Sequence, residues 1–407
     1  MSINFSQIRE TCLKNQQLTR SVIDDFLLYF AADRFNLDRE MKKQFSRYRH
    51  ITGKAPEEWI NIMKAQYITH RIFKEGGLIN KIETHRALSH LDKEEREFLN
   101  FNRKHPWRFS FSIITKNPGE DFYEMEDVFT GEGFLLYSPG ITEILETNDV
   151  LLWFNLITYN GSCWETYGVI GHYRSFEPED ILFYATQLYP GTWFEDVDEL
   201  LEFTEKNPIP FMILYLLSNQ PLVFNGEDQM VQKGSEFLED EFDSSLLENT
   251  FTVEYADGVY RLSLEDWDQF PHFSFAYYDE KKEQLFLYAM SDRGYTALVD
   301  ALNDCGYQLP YDSDFRVNMG MVAAVQQILK KDIRLNPYES LFEHTAEPDA
   351  EQDEEVERLN EMLNSIIPDI NAGRKPDAAK LAQQFNVNEE TAREIIDQFW
   401  EKYGRTS

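Results

Sequence analysis

WRFSFSIITKNPGEDFYEMEDVFTGEGFLLY, Trp107 to Tyr137, is the stretch in which the period of the chain changes. Before it, apolar residues recur three and four apart; within it, Trp107, Phe109, Phe111 and Ile113 alternate with polar residues, the two-residue period of a strand. Asn117-Pro118-Gly119 and Thr130-Gly131-Glu132-Gly133 supply turn chemistry and divide the stretch into short strands. LLWFNLITY and CWETYGVI then flank Asn160-Gly161-Ser162 as a further hairpin. About five strands result, enough for a small antiparallel β barrel or sheet over residues 106–176.

Working outward, residues 1–105 predict a helical region. Val22, Phe26, Leu27 and Phe30 share a helical face, and Pro56 stands where a new helix can begin. Residues 177–345 predict an α+β module: helix over 177–248, then the hairpin TFTVEY and VYRLSL around Asp257-Gly258, then HFSFAYY and QLFLYAM, and a helix from Tyr295 to Asn303 that packs back on them. Residues 346–357, AEPDAEQDEEVE, hold seven carboxylates and no cation, and like charges in such a run favour an extended, solvated linker. Residues 358–407 follow as a helical tail, in which LAQQFNVNEETAREII, Leu381 to Ile396, has the pattern of a helix-turn-helix pair. Asn386 falls in the turn, where a residue that tolerates positive φ is needed. The fold class expected is α+β: a helical N-terminal region, two antiparallel β modules with intervening helices, and a small helical C-terminal tail.

At 407 residues the chain exceeds one typical core. Forty-two per cent hydrophobic residues suffice for folding, so a formal charge of −33 describes an acidic coat on a globular protein and not a disordered chain. That coat repels phosphate backbones and anionic membranes over most of the surface. No apolar leader opens the chain, and the longest apolar run, Phe211 to Leu217, is too short to span a bilayer. Cys12, Cys163 and Cys305 are odd in number, far apart and without a CxxC pair, which suits reduced thiols in a cytoplasm.

Gly161-Ser162-Cys163-Trp164 resembles the nucleophile segment of papain-like cysteine proteases over four residues. The family's oxyanion-hole Gln has Ile157 in its place, and ETYGVIG after Trp164 predicts strand, not the helix whose N-terminus holds a thiolate. Cys163 is therefore expected to be an inert thiol packed as a small apolar residue, with a Cys163–His172 dyad as the remaining alternative. His50, His70, His85, His90, His105, His172, His272 and His344 show no metal-ligand spacing, and no phosphate loop, dinucleotide fingerprint or nucleophile elbow occurs. No catalytic residue, cofactor or metal is assigned.

Residues 30–60, FAADRFNLDREMKKQFSRYRHITGKAPEEWI, resemble the helix-turn-helix of AraC-type regulators running into its linker helix, with Phe45, Thr52-Gly53, Pro56 and Trp59-Ile60 at the family's pattern positions. The family carries two such units, and a second is not recognisable after Ile82. The resemblance implies possible nucleic-acid contact through Arg39, Lys42, Lys43, Arg47, Arg49 and Lys54, six cations against the single Glu40. DVFTGEGFLLY (127–137), NDVLLWFNLI (148–157) and QLFLYAMSDRGYTALVDAL (284–302) resemble segments of uncharacterised bacterial α+β proteins, a likeness that bears on the fold alone. In the tail, six acidic residues balance six basic ones from Arg374 to Arg405, so Phe385, Ile396, Phe399 and Trp400 are expected to serve docking or self-association. The function expected is a cytosolic, non-catalytic binding or regulatory protein acting through protein contacts. The alternative is a helix-turn-helix nucleic-acid-binding regulator.

Overall fold

The alternation at Trp107 marks a real junction. In the computed structural model, which describes residues 4–190, 197–217, 223–224, 227–238, 242–342, 358, 362, 365–366 and 374–403, the chain is helical up to it and enters a barrel after it. The acidic stretch 346–357 and His344 lie outside the described residues, as does the Phe399 side chain. The chain divides into two compact units, Met1–Asn336 and Pro337–Ser407.

The first unit opens with α1 (Phe5–Leu18), a π-helical stretch (Thr19–Leu27), α2 (Leu28–Arg34), α3 (Leu37–Ser46), α4 (Arg49–Thr52), α5 (Glu57–Phe73), α6 (Ile79–Ile82) and α7 (Lys93–Lys104). Their boundaries follow local chemistry. Asn36 takes φ 54° between α2 and α3, Gly53 caps α4, and Pro56 stands at the N-cap of α5. Asp92 and Glu95 form a reciprocal capping box on α7.

β1 (Arg108–Gly119), β2 (Phe122–Asp127), β3 (Gly133–Tyr137), β4 (Leu152–Tyr159) and β5 (Trp164–Tyr173) close a barrel in the order β1-β2-β3-β5-β4. All pairings are antiparallel except β3 with β5, whose parallel contact closes the ring. The first turn lies two residues later than the Asn117-Pro118-Gly119 signal suggests. Gly119 pairs with Phe122, so Glu120 and Asp121 form the turn, with Asp121 at φ 62°. Tyr123, Met125, Leu136, Trp153 and Ile157 form a core inside the barrel with Ile141 of α8 (Pro139–Leu145), whereas Phe109, Phe111, Phe154 and Leu156 point outward into the core shared with the helices. Gly168, at φ +81°, lets α5 approach β5 closely. Gln66 then donates to the carbonyls of Tyr167 and Val169 at 3.0 and 3.2 Å, in space that a Cβ at Gly168 would occupy.

Beyond the barrel come α9 (Pro178–Leu188), α10 (Val197–Lys206), α11 (Pro208–Tyr215) and the short pair β6 (Val223–Phe224) and β7 (Glu227–Asp228). The helical expectation for 177–248 fails at β8 (Met230–Phe237), a central strand of a six-stranded sheet. MVQKGSEF carries too few apolar residues to declare a strand, and cross-strand pairing decides it. The sheet continues with β9 (Thr252–Ala256), β10 (Val259–Ser263), β11 (Phe275–Asp279), β12 (Gln284–Ala289) and, after α12 (Asp292–Asp304), β13 (Phe315–Asn318), which leads into α13 (Met319–Leu329). Its order is β13-β8-β12-β11-β10-β9. The expected hairpin turns at Asp257 and Gly258, both at positive φ, and α12 covers one face through Tyr295, Leu298 and Leu302.

The second unit contains α14 (Glu339–Phe342), α15 (Ala378–Phe385) and α16 (Glu389–Tyr403). Asp377 caps α15 by accepting from the Ala379 and Lys380 amides, and Asn386 turns the chain at φ 53°. Ala382, Ala392, Met362, Ile366 and Ile396 form the buried contacts of this unit.

Candidate nucleic-acid interface

Leu37, Met41 and Phe45 recur every fourth residue along α3 and are buried against the first unit. Arg39, Lys42, Lys43 and Ser46 are therefore placed on the opposite face, and all four are exposed. Arg47, Arg49 and Lys54, also exposed, continue the positive charge past the end of α3 and around α4. None of the six cations makes an ion pair among the described residues. Glu40, the acid among them, turns instead toward α5, accepting from the Tyr67 hydroxyl at 2.7 Å and lying 3.6 Å from Arg71. Asp38, exposed in the first turn of α3, is the nearest uncompensated acid in sequence. His50 is tied through Nε2 to the Gln327 carbonyl of α13 at 2.9 Å, which fixes α4 against the body.

The tail residues are placed differently. Ile396 is buried with Ile366 inside the second unit and so cannot form an exposed docking surface. Phe385 and Trp400 are half-buried and pack on the same small core. Their number suggested covering by the main body or by a partner; within the unit, Ile396 is buried and Phe385 and Trp400 are partly covered.

Cys163 is buried, as an inert thiol should be, but its neighbour could not be foreseen from spacing. Its Sγ lies 3.4 Å from that of buried Cys12, on α1. The contact with Cys12 and burial together push the Cys163 thiol well above its ordinary range. Asn160 organises the turn: its Oδ1 accepts from the Ser162 and Cys163 amides, and its Nδ2 donates to Glu165 at 2.7 Å. Glu165 also accepts from Asn15 at 2.8 Å, yet burial pushes it up to about 7. His172 is nine positions further along β5, with Nδ1 at 3.3 Å from the Ile170 carbonyl, so the structure brings no Cys163–His172 dyad together.

Among the described residues no group of three His, Cys, Asp or Glu side chains is arranged to hold a metal. Buried His70 bonds Glu205, which in turn accepts from the Phe109 amide at 2.7 Å, joining α5, α10 and the start of β1. His272 meets Ser291 at 2.5 Å beside the start of α12.

Two cavities flank Arg316 on β13. A polar one of about 350 Å3 includes Ser175, Glu177, Asp228 and Asp292. Arg316 holds it together by donating to Glu177 at 2.6 Å and, as a fork, to both oxygens of Asp292 at 3.2 Å. The larger, about 900 Å3, is an open groove between α9, β13 and residues 331–335. Neither was visible in the sequence, because its residues come from segments well over a hundred positions apart.

Comparison of the chain with family models, curated proteins and solved structures finds no match in any of the three. No helix among the described residues is long and apolar enough to cross a membrane.

Proposed function

We propose that this chain is a cytosolic regulatory protein that holds nucleic acid through the basic face of α3 and α4, gripping phosphates without reading bases. The observation that carries this is the surface formed by the α3 face opposite Leu37, Met41 and Phe45 and continued around α4, where six exposed cations have no ion-pair partner among the described residues on a chain of charge −33. A left-handed Asn36 turns the chain between α2 and α3, which is compatible with the helix-turn-helix resemblance. Asp38 and Glu40 in its first turn argue against base readout, since that turn is the part a reading helix offers to the groove. Affinity should then be roughly micromolar at physiological salt and fall steeply as salt rises.

The experiment is a titration of the full-length chain with a labelled random-sequence duplex across a salt series. Alongside it runs the triple variant Arg39→Ala, Lys42→Ala, Lys43→Ala, with polyglutamate as competitor. Salt-dependent binding lost in the variant supports the proposal. No binding at low salt overturns it. Polyglutamate competing as well as DNA at equal charge would instead assign the face to an acidic protein, returning function to protein contacts.

A further inference from the structure

On the face of the six-stranded sheet turned away from α12, Lys233 of β8 stands directly across from Phe315 of β13. Its ammonium lies 4.0 Å from the centre of the Phe315 ring. Phe183 of α9 meets the same ring edge-on at 5.7 Å, and Leu182, Ile333 and Leu335 extend the apolar lining of the groove. A lysine stem covering an aromatic ring is ordinary, and if the head reached solvent or a carboxylate nothing more would follow. Here no carboxylate pairs with Lys233 among the described residues.

The acids lining the groove are otherwise engaged or differently placed. Asp314 accepts from the Ser235 amide and hydroxyl at 2.8 and 3.1 Å. Asp332 lies 3.3 Å from the Gln326 amide and 3.6 Å from Arg334. Glu179 sits in the first turn of α9, where the helix dipole favours it. The groove thus has an apolar lining, a cation without a counter-charge, and a volume of about 900 Å3, within the usual range for a small-molecule site and too small for a folded partner.

We infer that this groove binds a small amphipathic monocarboxylate, with its apolar body against Phe183, Phe315 and Leu335 and its carboxylate on the Lys233 ammonium. A monocarboxylate fits better than a phosphate ester. Lys233 is a single point charge beside the apolar lining; Arg334 is paired with Asp332 and Arg316 with Glu177 and Asp292, while Lys331 is exposed and meets only the neutral Gln187 side chain at 3.5 Å. Burial lowers the Lys233 pKa, and no carboxylate among the described residues offsets that desolvation. The groove shares no lining residue with α3 or α4, and the inference does not depend on the nucleic-acid proposal.

Calorimetric titration of the full-length chain with decanoate and with decanol tests it, both below their aggregation limits. Decanoate should bind at least about tenfold more tightly than decanol. Lys233→Met, which keeps the stem and removes the charge, should erase that preference while leaving decanol binding unchanged, and Lys233→Arg should retain it. Equal binding of the two probes, binding of neither at millimolar concentration, or a preference that survives Lys233→Met would overturn the inference. Should Lys233→Met fail to fold, reductive methylation of Lys233 in the unaltered chain decides: decanoate must slow it and decanol must not.

Discussion

Between α2 and α3 the chain turns at Asn36 with φ 54°; between α15 and α16 it turns at Asn386 with φ 53°. The backbone device is the same, and the surfaces it presents are not. On the exposed side of α3, Arg39, Lys42 and Lys43 have no ionic partner among the described residues, whereas in the second unit Arg393 donates to Glu389 at 2.5 Å and Lys375 lies 2.8 Å from Asp397. The interiors differ as well. α3 inserts Leu37, Met41 and Phe45 into a core shared with the barrel, while α15 and α16 close over a handful of side chains around Ala382, Ala392 and Ile396. A left-handed residue between two helices therefore says where the backbone turns; the residues opposite the buried stripe say what the pair can touch.

The largest effect should come from the interiors. Phe45→Ala should destabilise the first unit by about 3–5 kcal/mol, and Ile396→Ala the second by about 2–4 kcal/mol. Hydrogen exchange should show each loss confined to its own unit. If Ile396→Ala loosened amides of the barrel equally, the two pairs would not be the separate structures described here.

A pH series should locate the next effect in the first unit, where α1 meets the barrel. Glu165 is raised from 4.5 to about 7 by burial, so the folded state holds its proton more tightly than the unfolded state. Its stabilising contribution is fully present below about 4.5 and is lost as pH rises through about 7. Unfolding free energy should drop by roughly 2–4 kcal/mol across that window from this group, and Glu165→Gln should flatten the profile. An unchanged profile in the variant would mean that the group is already ionised in the folded protein.

Charge removal sharpens the contrast of surfaces. The triple alanine variant of Arg39, Lys42 and Lys43 should lower the salt slope of nucleic-acid binding by about 2–3 and weaken binding by about 10–100-fold near 0.1 M salt. Stability should stay within about 0.5 kcal/mol. Arg393→Ala in the second unit should leave binding unchanged; a comparable loss there would remove the distinction between the two pairs.

The smallest effect probes what they share. Asn36→Ala and Asn386→Ala should each cost about 1 kcal/mol, because a Cβ without a locally bonding side chain is disfavoured in the left-handed region, and the corresponding glycine variants should be near neutral. Denaturant midpoints measure this. A cost at one turn alone would show that the other does not rely on the left-handed residue.

What could be read from the chain followed from local physics. Alternation at Trp107 to Ile113 announced the first strand of a barrel or sheet, Asp257-Gly258 a hairpin of the second sheet, and Asn386 the turn of the tail. Each depends on side chains within a few positions of one another, where turn conformation and the two-residue period act directly. The basic face of α3 was legible for the same reason: buried and exposed positions on one helix are related by its period.

Contacts between distant segments were not legible. β8 reads as polar text and becomes a strand because β12 and β13 pair with it on either side. The parallel closure of the barrel joins Leu136 to Trp164, Cys12 meets Cys163 across 151 positions, and Arg316 reaches Glu177 across 139. Lys233 looks unremarkable in sequence and draws notice only because the fold lays Phe315 beside it and, among the described residues, sets no carboxylate against it. Local sequence determined where the chain turns and which side of each helix is wet. Only the tertiary structure decided which polar groups met a partner, because desolvation and pairing depend on everything that packs around a group and not on its neighbours in the chain.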